Sequence, residues 1–208
     1  MLDILTKGGW IMLPLALCSI LAVATSIERL LFFRRIKKTE QANEVMALIN
    51  KGQIMEALTL TEGGQSTLLH VLGVGIAHPH NSSKAMEGAA IAQVALMKKG
   101  LPILDTIITL SPLLGLLGTI IGMINSFQVM SVAGMGQPHA VTGGIAEALI
   151  ATATGIVVAV VTLIPYNYFL ARIEEETATM EYYGTRLEIA FATLPLRSEK
   201  HEDTKKRA

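Results

Sequence analysis

The sequence predicts an all-α integral membrane protein with three transmembrane helices and cytoplasmic helical extensions. Three observations carry that prediction. Of the 208 residues, 51% are hydrophobic and 16% charged, against about 25% charged in an ordinary soluble domain. The charges are clumped, so that from Thr106 to Ala171 the only acidic or basic side chains are His139 and Glu147. Three apolar stretches, at about 9–33, 102–132 and 140–171, each supply the roughly 20 helical residues that cross a bilayer. A formal net charge of zero says nothing about partners when the charge is distributed this way.

Span one follows a weak basic region (Lys7) and is closed by "RRIKK". That pattern fits a stop-transfer anchor better than a cleaved signal peptide. Cys18 in "LALC" is preceded by Leu17, too large for lipoprotein processing, and reads as a small apolar helix residue. A lone cysteine builds no internal disulfide framework. Arg34, Arg35, Lys37 and Lys38 follow span one, Lys98 and Lys99 precede span two, and Arg172 follows span three. The link "SVAGMGQPHA" has neither lysine nor arginine. Because cytoplasmic loops hold the excess of these residues, the N-terminus is expected outside and the C-terminus in the cytoplasm. Trp10 suits the outer interface, and Tyr166, Tyr168 and Phe169 the inner one.

The cytoplasmic segments are 34–101 and 172–208, within one domain covering 1–208. In the first, Val45, Leu48, Ile49, Ile54, Ala57 and Leu58 fit two short amphipathic helices around Gly52. After a break at "EGGQS", "TLLHVLGVGIA" is a third helix, stopped by "HPHNSS". Ser82 or Ser83 is expected to cap the next helix, and Gly100 with Pro102 to mark its junction with span two. After span three, "RIEEETATMEYYGTRLEIAFATL" reads as helix, and the polar "RSEKHEDTKKRA" as an unstructured tail. The "EEE" run reads as a solvated face.

Spans two and three carry matching stripes. Ser111, Gly115, Gly118, Gly122 and Asn125 share one face of span two. Ala148, Thr152, Gly155, Ala159 and Thr162 repeat the same spacing in span three, with Ile150, Val157, Val161 and Ile164 behind them. Small faces let helix backbones approach closely in lipid, and two partly polar faces also suit a water-filled lining. Spacing alone leaves both open.

Glu147, in "GGIAEALIATATGIVV", is more specific. An acid near mid-bilayer costs about 2.5 kcal/mol or more on insertion scales. With span three starting near Ala140, Glu147 lies about two turns inside, roughly 10 Å at the helical rise. A carboxyl there can take up and release a proton as local hydration changes, or stay neutral and hydrogen-bonded between helices. No Lys, Arg or His of this chain is expected at its depth. Thr119 and Thr152 are expected at similar depth to each other, with hydroxyls able to hold water or a carboxyl or to bond back to their own helix.

At "LSPLLGLLGTIIGMINSF" and "GGIAEALIATATGIVVAVVTLIPYNYF" the chain resembles the MotA/TolQ/ExbB proton-channel family. The match is nearest to the three-span ExbB and TolQ members, since the flagellar stator members have four spans. "IERLLFFRR" extends a weaker likeness across most of the chain. The resemblance implies a homopentamer in the bacterial inner membrane, surrounding helices of an ExbD- or TolR-like single-span partner with a membrane aspartate. It also implies a TonB- or TolA-like protein that receives the energy, as in TonB-dependent uptake. By motif it sets Glu147 near the proton path and turns Thr119 and Thr152 towards the partner. Some members have an extended external N-terminus, whereas the segment ahead of span one here is short.

Other chemistries find little support. His78 and His80 lack a third ligand for a metal and read as a solvated turn, as does His139 in the outer link. No phosphate-cradling P-loop is present. Ser111, Ser126 and Ser131 have no intramembrane histidine to activate them. Neither an enzyme, a cofactor, a metal nor a nucleic-acid partner is expected. Beside the proton channel stands the alternative of a non-conducting scaffold that holds a single-span partner.

Overall fold

The computed structural model describes residues 9–35, 40–62, 66–133 and 138–206. All the regular structure among them is helical: α1 (Met12–Arg35), α2 (Glu40–Asn50), α3 (Ile54–Glu62), α4 (Thr67–Ala77), a 3-10 turn (Pro79–Asn81), α5 (Ser82–Lys98), α6 (Leu101–Ala133) and α7 (Pro138–Lys206). Three of them, α1, α6 and α7, are long and apolar enough to cross a membrane. Lys7, Lys37, Lys38 and the middle of the "SVAGMGQPHA" link fall outside the described residues, as do the side chains of Arg35 and His139.

The chain divides into two compact units, Met1–Leu30 with Gly100–Phe169, and Leu31–Lys99 with Leu170–Ala208. In the first, Ile11, Met12 and Leu15 at the start of α1 are buried and pack with Leu114 and Ile121 of α6. At the other end of α1, a β-carbon on Gly100 would lie 3.1 Å from Thr25 Cγ2. Thus α1 and α6 run antiparallel, and Gly100, at φ +84°, turns the chain into α6. Arg29 is buried and donates to Glu28 at 2.7 Å. Leu13, Ile20, Leu113, Ile120, Val157 and Ile164 are exposed, as befits helices whose outer surface meets lipid rather than water.

The second unit packs like a soluble helical domain. Val45, Ile49, Ala57, Leu68, Leu72, Met97 and Leu187 are buried, and Tyr183 donates to Asn43 Oδ1 at 2.9 Å. The two short helices meet at Gly52, whose φ of +80° is the left-handed turn that glycine adopts without cost. Glu174 and Glu175 are exposed, but Glu176 turns partly inward. Loss of solvent pushes the Glu176 carboxyl up, against the opposing pull of Arg172.

Two expectations require correction. Neither Ser82 nor Ser83 caps α5: Ser82 is already helical, and Asn81 holds the cap position without a side-chain bond. The preceding 3-10 turn runs straight into the helix and supplies its first turn. The tail is also not unstructured, since α7 continues to Lys206. A helix that is already nucleated extends at little cost, and Glu, Lys and Arg in the tail are good helix formers.

Candidate functional site

The small stripes of α6 and α7 face each other. A β-carbon placed on Gly115 would lie 3.0 Å from the Ala151 carbonyl oxygen and from Thr152 Cα. One on Gly118 would come within 2.6 Å of Ala151 Cβ, and one on Gly122 within 2.8 Å of Ala148 Cβ. From the other side, a β-carbon on Gly155 would strike the Ser111 carbonyl oxygen, and one on Gly144 the Ser126 hydroxyl. The backbones approach this closely because the side chains are absent. Pairing 111 with 155 and 126 with 144 makes α6 and α7 antiparallel.

Ser111, Gly115, Gly118, Gly122, Ala148, Gly155, Ala159 and Thr162 are all buried in this contact layer or beside it. Asn125 is not: it is exposed, and Ser126 takes the buried place. A straight helix drifts by about 20° per heptad, so the face that includes Gly122 continues at 126. Ala151 and Val158 join the buried face of α7 for the same reason. Ser111 Oγ is buried with no hydrogen-bond partner among the described residues. Thr162 bonds back to the Val158 carbonyl at 2.7 Å.

The two threonines act differently. Thr152 Oγ1 donates across the helix pair to the Gly115 carbonyl at 2.9 Å. Thr119 donates within α6 to the Leu116 carbonyl at 2.7 Å. Their acceptors are consecutive carbonyls of one helix, so the hydroxyls lie within a turn of each other in depth.

Glu147 is partly buried and lies beside the entry to α1. A β-carbon on Gly9 would overlap Glu147 Oε1 and stand 3.2 Å from its Cδ and 3.6 Å from its Cγ. Gly9 is at φ +69° and its carbonyl accepts from Met12 N–H at 3.1 Å, opening α1. Residues 9 and 147 belong to different spans, and no periodicity links them, so this contact had no signal in the sequence. Glu147 lies about nine residues into α7, roughly 13 Å along its axis, level with the start of α1. Within the described residues, no group of three or more His, Cys, Asp or Glu is placed to hold a metal ion. His78 Nδ1 lies 3.0 Å from the Val74 carbonyl oxygen, a local contact at the end of α4.

Known proteins are similar to this chain in sequence over most of its length. Residues 26–182 match the MotA/TolQ/ExbB proton channel family. The chain belongs to that family. A protein of Synechocystis sp. named for biopolymer transport as ExbB-like 3 is 37% identical over 189 residues, 84% of this chain and 90% of its own length. An ExbB homologue of Methanothermobacter thermautotrophicus is 29% identical over 97% of this chain and 74% of its own. The Tol-Pal system protein TolQ of Pseudomonas aeruginosa is 40% identical over 92 residues, 44% of this chain and 40% of its own. The family is one of proton channels, and the three helices of this chain that are long and apolar enough to cross a membrane fit a multi-pass membrane protein.

Proposed function

We propose that this chain is the proton-conducting subunit of an inner-membrane motor of the ExbB/TolQ type, oriented with its N-terminus outside. Five copies surround the membrane helices of an ExbD- or TolR-like single-span protein, whose membrane aspartate exchanges protons with the path containing Glu147. A TonB- or TolA-like protein carries the resulting motion to the outer envelope, as in TonB-dependent uptake. The chain performs no covalent chemistry.

The observation that carries this reading is Glu147 itself. It is a carboxyl in a bundle of three apolar helices that holds no other acid between Thr106 and Ala171. It stands beside Gly9, near the end of α7 that begins the span. Each elementary charge moved through the membrane potential yields about 2.3 kcal/mol per 100 mV. Repeated transfers at one carboxyl can therefore bias a central element without any bond being made or broken. Thr152 supports the reading less directly, since its hydroxyl already ties α7 to α6.

A second reading has its own observation. The stripes pack against each other within one chain, which is what a scaffold for a single-span partner requires. Then Glu147 is a neutral hydrogen-bonding group, and glutamine replaces it without loss. The test is Glu147→Gln in cells that depend on the system. A variant that still assembles with its partner but no longer supports energy-dependent uptake or envelope integrity agrees with conduction. Retained function assigns the chain to the scaffold class.

A further inference from the structure

We infer that Gly9 is a positioning residue for Glu147: the absence of a side chain at 9 lets the entry to α1 close against the carboxyl and set where it stands. The inference rests on Glu147 lying in the proton path only for its functional consequence, and not for the contact itself.

Two features of Gly9 point the same way. Its backbone is at φ +69°, a region that side chains other than glycine, asparagine and aspartate rarely enter. The space that a β-carbon would fill there is taken by Glu147, with Oε1 in overlap, Cδ at 3.2 Å and Cγ at 3.6 Å. Gly143, four residues before Glu147 on α7, has nothing within 4 Å of its own β-carbon position. Room is thus withheld at Gly9 and freely available at a nearby glycine of the same unit.

The carboxyl is the far end of a flexible side chain, so the packing of the two backbones decides the outcome. Ala148, the next residue, is 2% exposed and Ala151 1%, and both press on glycines of α6. The backbone that bears Glu147 is therefore fixed by the helix pair, and only its side-chain torsions are free to respond. On the α1 side, Ile11 and Met12 are 3% and 4% exposed and anchor the segment immediately after Gly9 against α6. A side chain at 9 is accommodated first by the Glu147 rotamer, because buried neighbours hold the backbone on both sides of the contact. The carboxyl then leaves its place beside α1, and its access to the medium changes.

The experiment reads the position of the carboxyl without using conduction. Native membranes containing the full-length chain are treated with dicyclohexylcarbodiimide, which adds to membrane carboxyls, and labelling of Glu147 is followed by peptide mass. Gly9→Ala is expected to alter the Glu147 labelling rate by about fivefold or more, the factor to which the lower end of an overpacking cost converts. Gly143→Ala is expected to leave it unchanged. Glu147→Asp withdraws the carboxyl by one methylene, so in that background Gly9→Ala should change labelling little. An equal effect in both backgrounds would mean backbone strain at 9 and no positioning, and an unchanged rate in Gly9→Ala would also overturn the inference.

Gly9→Asn covers the case in which the alanine variant fails to accumulate, because asparagine tolerates left-handed backbone while still carrying a β-carbon. If neither variant accumulates, restored accumulation with Glu147→Asp supports the contact and its failure to restore refutes it. Proton flux measured on the same membranes separates the two ideas. Labelling that responds as expected, together with flux that survives Glu147→Gln, leaves the positioning intact and removes the proton path.

Discussion

Two hydroxyls within one turn of each other have different amounts to lose. Thr152 bonds to a carbonyl of the neighbouring helix at 2.9 Å, while Thr119 bonds back within its own helix at 2.7 Å. Interhelical side-chain bonds in membranes average about 0.6 kcal/mol, and back-bonds within a helix contribute nothing to association. Thr152→Val should therefore lower the thermal unfolding midpoint in detergent, and Thr119→Val should leave it within error. Equal shifts in the two variants would contradict the assignment of Thr152 as the tie between α6 and α7. The types of residue at this scale were legible in the sequence, because an isolated acid and paired threonines stand out in apolar surroundings. Their partners were not. Gly9 and Glu147 meet only because the entry to α1 reaches the early turns of α7, and Thr152 chooses the Gly115 carbonyl only because no side chain intervenes there.

Among the elements, the glycines of α6 and α7 divide into those that permit a contact and those that do not. Gly155→Ala drives a methyl group into the Ser111 carbonyl, whereas a methyl on Gly143 enters open space. The first should destabilise the folded chain by about 1–3 kcal/mol. The second should be neutral to slightly stabilising, as alanine is the better helix former. Both are read by thermal unfolding in detergent, and a well-tolerated Gly155→Ala would show that α6 and α7 do not pack through this face. Gly52→Ala isolates another effect, since nothing lies within 4 Å of its β-carbon position. Its cost of about 1 kcal/mol comes from φ +80° alone, and denaturation of the purified chain measures it.

The element pattern was read well where glycine and proline punctuate it. Short helices flank Gly52, a helix spans Thr67–Ala77, and three long apolar helices occupy the predicted stretches. It was read poorly where punctuation was ambiguous. Two serines in a row suggested a cap, yet the 3-10 turn ahead of them made one unnecessary. A polar tail suggested disorder, yet it continues a helix already formed. The stripes lay between these cases. Their spacing was visible, but identical spacing serves a water-filled lining and a packed seam, and only the facing helix reveals which surface meets it. The spacing also set Asn125 on the same face as Gly122, where the natural drift of a 3.6-residue helix puts Ser126.

The scale of the whole molecule is set by charge. Lys98, Lys99 and Arg172 border the spans at one end, and the spans themselves hold a single acid, Glu147, between Thr106 and Ala171. Membership of the MotA/TolQ/ExbB proton channel family underlies the role proposed for that acid: a proton crossing the bilayer needs a group that can hold it briefly away from water. The most direct measurement is proton flux in proteoliposomes under an imposed potential. It compares this chain alone, the chain with its single-span partner, and that complex carrying Glu147→Gln. Flux that appears only with the partner and disappears in the variant is the predicted result. A correctly assembled complex whose flux is indifferent to Glu147→Gln would contradict a conducting role for Glu147 and leave a packed helical scaffold in its place.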